Sequence, residues 1–344
     1  MAHHLLPPSV ILIFTLFTIT ILPSEGKGQG LGNDLHVGFY SRSCPQVEDV
    51  VAEIINRHHE QDPKTTPAFI RLLFHDCFVK GCDASILLDE SVSGSIVEKA
   101  DGTNGKTLRG LEIIDEIKAE LENQCPQTVS CADIIAFASR EAVALSGLPR
   151  HDVPAGRRDT RTSRNSDIEE NLPTPEMTVQ NIIKIFSVRN FSVEDMVVLS
   201  GAHSIGQSHC DQIRKRIYTF RPGQGIARDP FIDPAYADEL AQKCPALPAP
   251  DETFSVDFDP VTPEVLDNQY YLNLQNRKGL LETDQVLAFD PNTVEIVNQM
   301  AADPEGWTKR FVKLMIRLGR LSVLTKNDGE IRINCRKPNQ QTEL

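Results

Sequence analysis

AFIRLLFHDCFVKGCDAS, Ala68–Ser85, decides how the rest of the chain is read. It opens as an apolar run, sets Arg71 and His75 four residues apart, and passes into an acidic loop closed by Cys77 and Cys82. Residues four apart share a helix face, so a fixed cation and a titratable imidazole point into one space. Phe69, Ile70, Leu72, Leu73, Phe74 and Phe78 crowd that face, and an Arg and a His on a buried helix need a purpose. In the loop, Asp76, Asp83 and Ser85 offer side-chain oxygens, and Asp76, Val79 and Gly81 offer main-chain carbonyls. That donor set suits Ca²⁺, although it lacks the spacing and closing Glu of an EF-hand. A polar turn held by a disulfide accounts for the loop equally well.

The full chain has 344 residues, 40% of them hydrophobic, enough for one large domain or two fused lobes with a real core. A formal net charge of -13 argues against phosphate-backbone recognition, so nucleic acid is excluded as a partner. An apolar run from Val10 to Leu22, followed by small and polar residues at Ser24–Gly26, suits the core of a signal peptide over residues 1–26. The run is short for a bilayer span, and no later stretch could cross one. All eight cysteines, Cys44, Cys77, Cys82, Cys125, Cys131, Cys210, Cys244 and Cys335, follow it. An even count in a secreted chain implies disulfides, but eight cysteines can pair in on the order of a hundred ways, and only Cys77–Cys82 is suggested by proximity. Asn190-Phe191-Ser192 is a glycosylation sequon, matched by the reading that it goes unused.

The segments Val47–His59, Leu111–Leu121 and Ala132–Leu145 carry apolar residues at helical spacing. Ser130-Cys131-Ala132-Asp133 and Ser192-Val193-Glu194-Asp195 resemble capping boxes, and Thr262-Pro263 and Asp303-Pro304 each set a cap residue before a proline at a first helical position. Between helices, His151–Pro175 is too polar and proline-bounded for a helix, and Arg221–Pro230 reads as a loop. There is no repeat and no linker. One mostly helical domain over residues 34–344, with little β structure, is the expectation.

Two further clusters bear on chemistry. In Met196–Gly206, MVVLSGAHSIG, His203 ends an apolar helical run among small residues that would admit a flat, bulky group. A core-packed histidine is the plainer reading; an axial metal ligand also needs a partner on its other ring nitrogen, for which Asp284 is one candidate. In Val256–Asn268, Asp259, Thr262 and Asp267 offer oxygens that Ser204 could join, though by itself the stretch reads as a capped helix start.

Taken together, RLLFHDCFVKGCDASILL, DVPAGRRD, NLPTP, VVLSGAHSIGQSHC, VDFDPVTPEVLDNQYY and GLLETDQVL resemble the secreted plant haem peroxidases, the class III family, from Phe39 to Cys335. The resemblance implies an all-α, two-lobed fold with one haem b between the lobes. It matches His203 to the proximal iron ligand and Asp284 to the carboxylate behind it. Arg71, Phe74 and His75 match the distal residues that handle peroxide, with Asn104 orienting His75, Glu98 behind Asn104, and Pro173 placing aromatic donors. It implies two Ca²⁺ ions, one on Asp76, Val79, Gly81, Asp83 and Ser85 with Glu98 in support, and one on Ser204, Asp259, Thr262, Val265 and Asp267. It also implies the pairings Cys44–Cys125, Cys77–Cys82, Cys131–Cys335 and Cys210–Cys244, and a buried structural ion pair between Asp133 and Arg157.

The implied activity is reduction of hydrogen peroxide to water with one-electron oxidation of small aromatic donors such as phenols. His75 would act as acid and base while Arg71 stabilises charge developing in O–O cleavage. A monomer, secreted to the extracellular space or cell wall, is the accompanying expectation. The chain departs from the family pattern at Gly102, at Gly105-Lys106-Thr107 and at Gln212, and has Ser204 where threonine is commoner. Two readings compete with the enzyme: a calcium-stabilised wall protein without turnover, and a zinc hydrolase, for which His58-His59-Glu60 is the nearest hint but lacks the H-E-x-x-H spacing.

Overall fold

The structure, a computed structural model, describes Met1 and residues 34–102, 104–247 and 254–340. The signal-peptide reading of residues 1–26 therefore falls outside the described residues beyond Met1. In chain order the α-helices are α1 (Val47–Gln61), α2 (Thr66–Val79), α3 (Leu111–Gln124), α4 (Cys131–Leu145), α5 (Val179–Ser187), α6 (Val193–Ser200), α7 (Arg214–Tyr218), α8 (Pro234–Lys243), α9 (Gln269–Gln275), α10 (Glu282–Gln285), α11 (Val294–Ala302) and α12 (Pro304–Leu318). The fold is mostly helical. Among the described residues the strands are β1 (Gln207–His209) and β2 (Ser255–Asp257), an antiparallel pair with Ser208 opposite Val256.

The helices form because their apolar residues repeat at helical spacing and their ends are capped. In α1, Val47, Val50, Val51, Ile54 and Ile55 are buried, with Glu48 and Asp49 in the first turn and His58 and His59 in the last, the arrangement that suits the helix dipole. Helix α2 has a proline in its first turn, where no N–H is missed, and is apolar nearly all round, so it is sunk against α4. Helices α1 to α4 pack on one another; α6 packs with α5, α11 and α12, and α9 with α11. A continuous apolar core runs through both groups, and a smaller one forms around the Cys210–Cys244 bridge.

The structure pairs Cys44–Cys125, Cys77–Cys82, Cys131–Cys335 and Cys210–Cys244. The bridge of widest span joins residues 204 apart, a closure that restricts the unfolded chain by about 5 kcal/mol in the loop-entropy picture. Asp133 and Arg157 meet at 2.6 Å, buried, with Tyr40 and the Gly156 N–H also donating to Asp133.

Two helix-start expectations need correction. Ser192 and Asp195 form a complete capping box, whereas Ser130 accepts from the Asp133 N–H but receives nothing back, because the Asp133 carboxylate is taken by Arg157, Tyr40 and Gly156. Asp303-Pro304 does open a helix, but Thr262-Pro263 opens only a turn. There Asp259 Oδ1 accepts from the N–H groups of Val261 and Thr262, and the chain bends to give Leu266 N–H to the Ser146 carbonyl; α9 begins later, at Gln269. In the polar stretch after His151, Ala155, Arg158 and Asp159 make isolated bridges to His36, Leu324 and Glu330.

Candidate active site

A cavity of about 1140 Å³ opens between α2 and the segment that ends α6. Arg71, Phe74 and His75 line one wall and His203, Phe258 and Asp284 another, with Pro173 among the residues at its side. Helical spacing places Arg71 and His75 together, and the loop after Glu98 brings up their partners. His75 Nδ1 donates to Asn104 Oδ1 at 2.6 Å, since that oxygen can only accept. The lone pair of Nε2 is thereby left for the cavity. Enclosure by protein lowers the His75 imidazole well below its ordinary value, the Arg71 charge lowers it further, and the Asn104 bond opposes both. Arg71 is lowered to about 10 by burial and stays charged at neutral pH. Its guanidinium donates to the Thr107 carbonyl at 3.3 Å and the Thr107 hydroxyl at 3.0 Å. Phe74 stacks on Phe78 with centroids 4.2 Å apart, which fixes the apolar floor beside His75.

Across the cavity, α6 tightens into a 3-10 turn, Gly201–Ser204, that carries His203. His203 Nδ1 donates to Asp284 Oδ1 at 2.8 Å, a contact between residues 81 apart in sequence. Phe258 lies flat against the His203 ring, centroids 4.2 Å apart and planes 13° apart. The β1–β2 pair puts it there: the Phe258 N–H donates to the Gly206 carbonyl at 3.0 Å. Gly206 sits at φ +89°, a left-handed conformation that favours glycine, and a Cβ there would press on Pro67 at 3.1 Å.

The two oxygen-rich loops are each assembled beside one histidine. Asp76, Asp83, Ser85 and Glu98 are buried together, and Asp76 Oδ1, Ser85 Oγ and Glu98 Oε2 have no hydrogen-bond partner among the described residues. Burial raises Asp76 well above the usual carboxylate range and Asp83 and Glu98 to about 6 and about 8, with mutual repulsion adding to Asp76 and Glu98. Buried acids and a hydroxyl without hydrogen-bond partners are groups that a hard cation would satisfy, although no three acidic, histidine or cysteine side chains among the described residues converge closely enough to form a metal cluster by themselves. The Gly81 carbonyl accepts from the Asp83 N–H at 2.8 Å and keeps a second lone pair.

On the other side, buried Ser204 accepts from the Asp267 N–H at 3.1 Å, the Thr262 hydroxyl reaches Asp267 at 3.4 Å, and Asp259 Oδ2 is buried with no hydrogen-bond partner among the described residues. Burial raises Asp267, with Asp259 adding repulsion. Val265 lies on the same turn, its N–H donating to the Thr262 carbonyl at 3.0 Å. One expected pairing differs: Glu98 bonds Ser163, and Asn104 Nδ2 has no partner among the described residues.

A family model described as peroxidase matches residues 47–303. The chain belongs to the class III plant peroxidases. It is 42% identical over 334 residues to Peroxidase 72 of Arabidopsis thaliana, covering 96% of this chain and 97% of that protein. To Peroxidase 5 of Vitis vinifera it is 41% identical over 302 residues, 88% of this chain and 91% of that one. Peroxidase 57 of Arabidopsis thaliana is 40% identical over 332 residues, with 96% and 97% covered. A member of this family is an enzyme, a haem peroxidase that uses hydrogen peroxide to oxidise donors.

Sequence reasoning passed over three contributors to the site: Phe258, Thr107 and Tyr270, whose hydroxyl donates to Asp284 Oδ1 at 3.0 Å. Phe258 was visible only as an apolar residue in an acidic stretch, and Thr107 only as a departure from the family pattern. The pair His58-His59 is spent on ordinary contacts, His58 with Glu116 at 2.8 Å and His59 with Thr66 at 2.6 Å.

Proposed function

We propose that this peroxidase binds one haem b in the cavity, ligated by His203, and works on peroxide with His75 and Arg71 on the opposite face. One observation carries the reading: two histidines line one cavity, each with Nδ1 held by a partner of different charge, leaving each Nε2 for the cavity. The fit to haem is good. Apolar side chains such as Phe74, Leu199, Phe258 and Met315 line a space of about 1140 Å³, and a flat macrocycle needs apolar faces with one axial nitrogen.

Bound haem would supply the redox chemistry, drawing two electrons' worth of oxidising power from hydrogen peroxide and spending it on donors one electron at a time. The protein's part is protonic and electrostatic. His75 Nε2 takes the proton from the near oxygen of peroxide and delivers it to the departing one, which leaves as water. Its depressed basicity keeps it neutral, hence able to accept, across the neutral range. Arg71 opposes the negative charge that gathers on the departing oxygen. Asn104 holds the tautomer that makes Nε2 the base, and Phe74 keeps the ring's surroundings apolar. Asp284 draws on the Nδ1 proton of His203 and makes its Nε2 a stronger donor to iron. Phenolic donors would enter past Pro173.

Two Ca²⁺ ions complete the reading, one on Asp76, Val79, Gly81, Asp83 and Ser85 with Glu98 nearby, the other on Ser204, Asp259, Thr262, Val265 and Asp267. The orphaned oxygens of Asp76, Ser85 and Asp259 support both. Secretion is supported by the pairing of all eight cysteines, which calls for an oxidising compartment; removal of residues 1–26 and a monomeric state belong to the same reading. Among the described residues no helix is long and apolar enough to cross a membrane. Asn190 is exposed in the turn between α5 and α6, as a glycan acceptor must be.

The test is spectroscopic. Protein refolded with haem and Ca²⁺ is mixed with one equivalent of hydrogen peroxide, beside His75→Ala and His203→Ala. A Soret band that shifts rapidly in the wild type and slowly in His75→Ala supports the reading. No Soret band in competently refolded wild type sinks it, and equal rates in wild type and His75→Ala remove His75 as the base.

A further inference from the structure

The Asp284 oxygen that holds His203 is shared. His203 Nδ1 donates to Oδ1 at 2.8 Å, and the Tyr270 hydroxyl donates to the same Oδ1 at 3.0 Å, while Oδ2 accepts from the Leu281 N–H at 3.1 Å. Tyr270 and Asp284 are each only 3% exposed, so water does not compete for these bonds. The Tyr270 ring stands edge-on to the His203 ring with centroids 6.4 Å apart.

The arrangement is held from both sides. Asn268, at the start of α9, donates to the Met300 and Ala301 carbonyls, and Tyr271 donates to the Val197 and Val198 carbonyls of α6, the helix that leads to His203. Gly201 permits that approach, since a Cβ there would lie 2.7 Å from the Tyr271 hydroxyl. The adjacent tyrosines thus grip the carboxylate and the histidine's own helix.

A carboxylate oxygen that accepts two hydrogen bonds gives less to each than it would to one, and in a dry site the loss is not made up by solvent. We propose that Tyr270 sets how far Asp284 draws the Nδ1 proton of His203, and so sets the electron richness of the axial imidazole. Tyr270 is a positioning residue that acts through Asp284. The inference rests on His203 being the iron ligand. Removing the phenol donor concentrates Asp284 on His203, gives the imidazole more anionic character, strengthens its bond to iron and favours the oxidised metal.

The experiment measures the Fe(III)/Fe(II) midpoint potential and the iron–histidine stretching frequency in the haem-loaded protein, with Asp284→Asn as the reference of opposite sign. Tyr270→Phe is expected to lower the potential and raise the frequency, while Asp284→Asn raises the potential and lowers the frequency. Site-specific 3,5-difluorotyrosine at position 270, a stronger donor with the ring retained, is expected to shift both in the Asp284→Asn direction. That substitution also decides the matter if Tyr270→Phe fails to fold. No shift with either change at position 270, or a Tyr270→Phe shift in the Asp284→Asn direction, overturns the proposal. If wild type lacks an iron–histidine mode, or His203→Ala retains it, the ligand assignment fails instead.

Discussion

The two walls of the cavity use the same side chain for different ends. His75 and His203 each have Nδ1 in a hydrogen bond, at 2.6 Å and 2.8 Å, and each leaves Nε2 for the cavity. What differs is the partner. His75 is held by a neutral amide beside the Arg71 cation, so its imidazole resists protonation and remains a base. His203 is held by a carboxylate and covered by Phe258, an environment that makes its Nε2 a stronger donor, as the proposed iron ligation requires. The comparison teaches that an imidazole's role is set one hydrogen bond away from the nitrogen that performs it.

The contrast can be broken most severely on the distal wall. His75→Ala is expected to slow reaction with peroxide by about 10²–10⁴-fold while the Soret band persists, a single-mixing measurement. Arg71→Leu, which keeps the base but removes the charge, should cost about 10²–10³-fold in the same step.

Converting the distal pair into the proximal kind is a sharper test. Asn104→Asp places a carboxylate on His75 Nδ1, which favours the imidazolium and raises its pKa. The base is then lost on going from alkaline toward neutral pH. In the wild type, the depressed pKa keeps the peroxide rate level down through about pH 6.5, the ordinary histidine value, with the fall only below it. A rate profile that bends at the same pH in both proteins would show that the amide does not set the base.

The oxygen-rich loops give a smaller effect. If the proposed Ca²⁺ is bound there, chelation leaves Asp76, Asp83 and Glu98 without it, and restoring the ion at a hundred times its Kd is expected to return about 2.7 kcal/mol of stability, read as a rise in Tm; no change in Tm would remove the ion from that loop. Smallest is Thr107→Val, which removes the hydroxyl at 3.0 Å but leaves the carbonyl to Arg71. A loss of about 1 kcal/mol corresponds to roughly fivefold in the peroxide step, and an unchanged rate would show that the Thr107 hydroxyl does not position Arg71.

The distal wall was the more legible because it is local. Arg71, His75, Asp76 and the loop through Ser85 lie within one helix and its exit, where spacing by itself dictates which side chains share a face. The proximal wall is assembled from afar: Asp284 comes from 81 residues downstream, and Phe258 arrives by a strand pair whose short segments carry little signal. The turn at Thr262-Pro263 misread as a helix start for a related reason. A capping residue before proline suits either, and the tertiary bond from Leu266 to the Ser146 carbonyl selects the turn.

The sequence alone determined the helical class, the placing of Arg71 and His75 on one helix face, and, through the family's motifs, the kind of chemistry, because these rest on short-range periodicity and on residues fixed in order. Tertiary structure alone decided that one Asp284 oxygen serves both His203 and Tyr270, that Phe258 lies against the proximal ring, and that Arg71 rests on Thr107. Those contacts join residues from 14 to 81 positions apart, and packing against a common core, not any local preference, brings their atoms within bonding distance.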